Sequence, residues 1–152
     1  MAVCVALPGA VLAAGGDTGG SSIPSKPRDP VLERARDAIG HKDWSGAQSV
    51  LRDAVGREPG NADYNNLYAY SIRKGSNPDM SLVFKHYNQA LSIDPKHKGA
   101  HEYLGEAYLM VGNLAKAKEH LAQLDKLCFF GCSEFTDLKN AIGDYEKRIA
   151  KQ

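Results

Sequence analysis

From residue 29 onward the apolar residues recur at steps of three and four, the spacing of one face of a helix, and punctuating residues cut the pattern into segments. Asp29 and Pro30 open the first segment. The aspartate can accept an otherwise unpaired backbone N–H, and proline at the first helical position gives up a donor that has no partner there. A helix over 31–40 follows, ended by Gly40. The spacing predicts a second helix over Trp44 to Arg57, with Ala47, Leu51 and Ala54 on one face, stopped by Pro59 and Gly60. A third runs from Ala62 to Lys74, and a fourth from Pro78, capped by Asn77, to Ile93, ahead of Asp94 and Pro95. Lys98 to Cys132 reads as one further two-helix unit. Beyond it Phe135, Leu138, Ile142, Tyr145 and Ile149 share one helical face, while Glu134, Asp137, Lys139, Asp144 and Lys147 point elsewhere. The pattern predicts an all-α chain.

The helices repeat. In the first helix of each pair a small residue recurs as Ala35, Ala69 and Gly105, at intervals of 34 and 36; in the second helix Ala47, Val83 and Ala117 follow at 36 and 34. Ala54, Ala90 and Leu124 keep the same 36 and 34, as do Leu51, Tyr87 and Leu121. The two extra residues therefore lie between Ala69 and Val83, in the turn KGSNPDM, where an insertion displaces no packed face. A small residue at a helix crossing lets two axes approach, and a larger side chain from the neighbour fills the groove beside it. No single pair buries its own face, so at least three must stack.

Leu104, Gly105, Tyr108, Gly112 and Ala117 stand in the order and spacing of a tetratricopeptide unit, and the chain resembles that family over residues 29 to about 129. The resemblance implies a right-handed α-solenoid of three helix pairs, about 29–60, 61–96 and 97–129, closed by a capping helix over 133–152. Departures from the pattern are Arg34 and Tyr68, which with Leu104 fill the usual leucine position, and Phe129, which stands where proline closed the earlier repeats. The family implies a non-enzymatic module that holds a protein or peptide partner in a concave groove lined by the first helix of each repeat. The matching positions are Leu32, Arg36 and Ile39; Asn66, Tyr70, Arg73 and Lys74; Glu102, Glu106, Leu109 and Met110. They set a basic and amide patch beside an acidic one. Asn66, Arg73 and Lys74 are then candidates to hold a peptide carboxylate, with Tyr70 and Met110 supplying apolar contact. The alternative is that these are solvated helix faces or partners of one another. The partner's identity is not written in the motif. Self-association through the open face of the first repeat is a third use of the fold.

Composition narrows the partners. The 152 residues carry 19 basic and 18 acidic side chains, which leaves no global field to draw in nucleic acid or an anionic membrane. No run approaches the roughly 20 apolar residues of a membrane-spanning helix, so an integral membrane protein is not expected. The segment 1–14 is nearly all apolar and resembles a secretory signal peptide, with a Gly-, Ser- and Pro-rich tether over 15–28. No Lys or Arg precedes the apolar run, a departure from the signal pattern. Export, to the periplasm in a bacterium, is the expectation; without a signal peptide the chain would be cytoplasmic. Removal of 1–14 takes Cys4 away and leaves Cys128 and Cys132, an even pair that suits an oxidising compartment.

Three readings of CFFGC stand side by side. A disulfide would pin the turn before the last helix, since the Gly131 kink permits a Cα approach of about 5.5 Å. A thiol-redox or metal-handling site is the second, against which the three intervening residues count, because the redox signature has two. Two reduced cysteines acting as small apolar side chains is the third. The stretch LDKLCFFGCSEF also resembles the tails of small exported bacterial tetratricopeptide proteins. His97 and His101 are four apart, a zinc-pair spacing, but no further ligand is adjacent, and packing roles are expected for the histidines. No phosphate-binding loop and no nucleophile beside a base is present. Neither a cofactor nor a catalytic residue is expected.

Overall fold

The computed structural model describes residues 28–151; the signal-peptide segment, nearly all of the tether and Cys4 lie outside the described residues. Seven helices follow one another: α1 Pro30–Gly40, α2 Trp44–Arg57, α3 Ala62–Lys74, α4 Met80–Ile93, α5 Lys98–Met110, α6 Leu114–Leu127 and α7 Ser133–Ile149. They pair as α1 with α2, α3 with α4 and α5 with α6, each pair stacking on the next, and α7 closes against α5 and α6. Among the described residues no helix is long and apolar enough to cross a membrane.

Short polar side chains decide where the helices start. Asp29 Oδ1 accepts from the backbone N–H of Val31 and Leu32 with Pro30 at the first position, and Asp43, Asn61 and Asn113 each accept one N–H of the first turn that follows. His97 does the same through Nδ1, which accepts from Ala100 N at 3.1 Å. The fourth helix departs from expectation. It begins at Met80 and not at Pro78, because the carboxylate of Asp79 captures the N–H groups of Ser81 and Leu82 at 2.9 and 3.2 Å and so caps the helix there. The connection within the second pair is thus residues 75–79, against 41–43 and 111–113 in the other two. The two-residue insertion lies in that turn.

The repeat intervals are packing intervals. Ala35, Ala69 and Gly105, Ala47, Val83 and Ala117, Ala54, Ala90 and Leu124, and Leu51 and Tyr87 are all buried; of the four registers only Leu121 is half-exposed. The core runs as a chain of three clusters: Leu32, Ala54 and Tyr64 at the start, a central group around Leu51, Tyr87 and Leu104, and an end group joining Leu124 to Leu138 and Ile142 of α7. Leu138 continues the series Tyr68, Leu104 at a step of 34, so α7 occupies the place of a fourth first helix. Ile149, expected on its apolar face, is 44% exposed because α7 outruns α5.

Two turns separate sequence from conformation. Gly112 adopts φ 78°, and the equivalent position in the first repeat, 70 residues earlier, is Lys42 at φ 58°. A side chain there costs about 1 kcal/mol, so Lys42→Gly is expected to raise stability by about that amount, read from the urea midpoint. At the other end, Cys128 and Cys132 are joined by a disulfide, with Cα atoms 5.5 Å apart. Cys132 is also the N-cap of α7 and offers it no side-chain hydrogen bond. The bridge supplies the restraint that a polar cap supplies elsewhere. Reduction, or Cys128→Ala with Cys132→Ala, should lower stability by about 2 kcal/mol, the loop-closure value for so short a ring, with the helical far-UV signal retained below the transition.

Candidate functional site

The first helices α3 and α5, with α7 beside them, line one face, and two cavities follow each other along it. The cavity toward the helix N-termini, about 330 Å³, is lined by Arg36, Asp63, Asn66, Gly99, Glu102, Tyr103, Glu134 and Asp137 among others. The second, about 460 Å³ toward the C-termini, is lined by Arg73, Glu106, Leu109, Met110, Ala141, Asp144, Tyr145 and Arg148. Of the residues expected in a groove, Arg36, Asn66 and Glu102 thus fall in one cavity, and Arg73, Glu106 and Met110 in the other. Lys74 is exposed and lines neither. Leu32, also matched to the groove, is buried in the first core cluster.

Between the cavities stands a wall of aromatic rings around one cation. The Arg73 side chain is 6% exposed; its Nη2 donates to Glu106 Oε2 at 2.6 Å and its Nε to the Tyr87 hydroxyl at 3.2 Å. The guanidinium also lies 5.4 and 5.7 Å from the ring centres of Tyr70 and Tyr103, whose own centres are 4.6 Å apart. Of the two readings of this patch, the one that makes its members partners of one another describes Arg73. Arg73 does not wait for a peptide carboxylate, because the acidic residue of the next repeat already fills that role. Burial of so much aromatic surface beside the pair leaves the hydroxyl of Tyr103 pushed up to about 12, by burial first and by Glu102 next.

The N-terminal cavity has the opposite character. Glu102 is 8% exposed, and its carboxyl is pushed up to about 8, first by burial and then by the carboxylates of Glu106, Asp137 and Glu134. An unfolded glutamate titrates near 4.5. Between those values the folded chain holds a proton that the unfolded chain has released, so the stability this group lends is complete below pH 4.5 and drains away as pH rises through about 8. Glu102→Gln is therefore expected to be more stable than the parent at pH 8.5 and no more stable at pH 4.5, by thermal melting at both. Asn66 lines the same cavity, is 4% exposed, and its carboxamide Oδ1 has no hydrogen-bond partner.

His86, His97, His101 and His120 are bonded into the frame. Asn65 Nδ2 donates to the carbonyl of Pro59 at 3.0 Å, and 36 residues on the His101 Nε2 faces the carbonyl of Pro95 at 3.0 Å. The second contact of each is again a histidine at the equivalent place, His86 Nδ1 on Asn65 Oδ1 at 2.9 Å and His120 Nδ1 on His101 Nδ1 at 3.0 Å. With His101 Nε2–H donating to Pro95, its Nδ1 accepts from His120. Burial, then the neighbouring His101, pushes His120 down to about 4. His97 turns the other way, to Asp63 Oδ1 at 3.2 Å. Among the described residues no three His, Cys, Asp or Glu side chains are grouped to hold a metal ion.

What the sequence pattern did not reveal is the part α7 plays. Glu134, Asp137, Ala141, Asp144, Tyr145 and Arg148 all line the two cavities. The signal was present, in the 34-residue step from Leu104 to Leu138 that makes α7 a first helix as well as a lid on the core.

Stacked, paired helices with their first members on one face define an α-solenoid. Residues 83–127 match a tetratricopeptide repeat family model. Solved structures share the fold. The TPR2B domain of yeast Sti1, in its pHsp70 complex, superposes with a TM-score of 0.67 at 18% identity, covering 78% of this chain and 94% of that one. The Sgt2 TPR domain of Aspergillus fumigatus gives 0.67 at 20% identity, with 80% and 78% covered. A thermophilic TPR protein of Thermus thermophilus gives 0.65 at 16%, with 82% and 67% covered. No curated protein sequence matches the chain.

Proposed function

We propose that the chain is a non-enzymatic interaction module that holds an extended peptide of a protein partner along the face formed by α3, α5 and α7. The observation that carries this reading is the alignment of the two cavities. From Gly99 to Met110 they span twelve residues of α5, about 17 Å of helix from first to last, enough for about five extended residues. One end is acidic and carries the unpartnered amide of Asn66; the other mixes Leu109, Met110 and Tyr145 with Asp144 and Arg148. A yeast domain of the same fold was solved in a complex with pHsp70, which supports a partner-holding role for this architecture. Export belongs to the same reading, supported by the apolar segment 1–14 and by the bonded pair Cys128 and Cys132.

The test is selection of displayed random 12-residue peptides on the immobilised, oxidised full chain, followed by binding to a variant with Gly99→Leu and Ala141→Arg, which fills both cavities. Enriched peptides that lose binding to the filled variant, with its helicity unchanged, support the groove. Peptides that bind both proteins equally, or no enrichment at all, remove it.

A further inference from the structure

We infer that the N-terminal cavity receives a basic side chain, the guanidinium or ammonium group of an arginine or lysine in the partner peptide, between Glu102, Asp137 and the carboxamide of Asn66. The inference rests on the groove reading and gives it a polarity: the partner's charge at this end is positive.

Acidic side chains at helix starts have an ordinary explanation, and two of those here have it. Asp63 and Glu134 each stand second in their helices, α3 and α7, where a carboxylate complements the positive end of the macrodipole. Glu102 and Asp137 are each fifth, in α5 and α7, beyond the first turn in which that effect acts. Glu102 is besides almost wholly buried, at 8% exposure, beside like charges on its own helix and on α7. Ionising a carboxyl there is unfavourable unless a cation enters to offset the charge.

Asn66 points to the same kind of visitor independently. Its Oδ1 is the one buried side-chain oxygen or nitrogen without a partner among the described residues. A buried acceptor left empty costs free energy that an entering N–H donor restores. Gly99 keeps the way open. A Cβ on it would lie 3.4 Å from Asn66 Nδ2, so any long side chain at this position would project over the amide. Cations already present do not fill the space: Arg73 is committed to Glu106, His97 to Asp63 and the cap of α5, and Arg36 stands exposed at the rim. A volume of about 330 Å³ is at the lower end of ligand pockets and suits one long side chain.

Entry of a cation would stabilise the ionised form of Glu102, around which stand Asp63, Asn66 and Arg73 from α3, Glu106 and Tyr103 from α5 with His97 at its cap, Glu134 and Asp137 from α7, and Arg36 from α1. With its carboxyl raised to about 8 in the empty cavity, Glu102 would release a proton on binding, so affinity should rise between pH 6.5 and 8.5.

The experiment is a titration of the ¹⁵N-labelled, oxidised full chain with acetyl-arginine-amide and, in parallel, with its neutral isostere acetyl-citrulline-amide, followed by the Asn66 side-chain amide and the Gly99 backbone amide. The arginine probe is expected to give saturable shifts at both groups and the citrulline probe none at the same concentrations. Glu102→Gln with Asp137→Asn should weaken the arginine probe by about tenfold or more, and added salt should weaken it further. Equal shifts with both probes, no saturable shift, or an unchanged affinity in the double variant would overturn the inference. The peptide selection separates this from the groove itself. Selected peptides that lack Lys and Arg and ignore the double variant sink the basic side chain while the groove stands. Saturable arginine binding without any selected peptide keeps the cation site and sinks the groove.

Discussion

Replacing Glu106 with alanine is expected to lower the stability of the chain by about 3–5 kcal/mol, the cost of leaving a buried charge without its partner. Arg73, 6% exposed, cannot lose its proton, and Tyr70, Tyr87 and Tyr103 are packed around it. Its remaining hydrogen bond, to the Tyr87 hydroxyl, has a neutral acceptor that does not balance the charge. The result is read from urea denaturation followed by far-UV circular dichroism. The same physics sets the outcome when both partners go: Arg73→Met with Glu106→Leu removes two desolvated charges together, and its loss should be much smaller than that of Glu106→Ala. A Glu106→Ala loss under about 1 kcal/mol would place the pair among surface ion pairs and refute the buried description. Charge reversal at Arg73 is for this reason no test of a binding surface, since it would bring two carboxylates together in the wall and unfold it.

Leu138→Ala should cost about 2–5 kcal/mol and free α7 first. Leu138 is fully buried, and it presses on the one position of α5 that has no side chain: a Cβ on Gly105 would sit 2.6 and 2.7 Å from its two methyl carbons. In the first two repeats that position is alanine, buried as Ala35 and Ala69. Glycine in the third lets α7 come closer to α5 than the earlier first helices come to each other. Gly105→Ala alone should then cost about 1–3 kcal/mol by overpacking. Together the two changes should cost less than their sum, because the new methyl occupies part of the space the leucine leaves. Hydrogen exchange would report the α7 amides opening before those of α3 and α4. Uniform opening, or strict additivity, would contradict this contact.

Both expectations rest on contacts of different legibility. Gly105 was legible as a small residue at a crossing, because the registers repeat at 34 and 36. That its partner is Leu138 was legible only in part: the residue stands on a clear apolar face, yet a face does not say which neighbour it meets. The repeated polar device was in the sequence too, as Asn65 with His86 and His101 with His120 at matching steps. Its members differ in kind, amide in one repeat and imidazole in the next, and a pattern of residue types does not disclose that both hold the carbonyl of a proline.

The sequence by itself determined the helices, the pairing, the insertion and, the start of α4 apart, the places where the chain turns. These depend on periodicity and on caps within a few residues, and local interactions act whatever the rest of the chain does. Only the tertiary structure decided which polar groups are left for a partner. Arg73 and Glu106 are 33 residues apart; whether each is a free charge or half of a buried pair depends on how two repeats stack, and on the tyrosines that exclude water from between them. Asn66, Glu102 and Asp137 come from three different helices, and their shared cavity exists because α7 docks as a fourth first helix. Desolvation and pairing are properties of the assembled face, so the groove's charge was settled by packing and could not be summed from its residues.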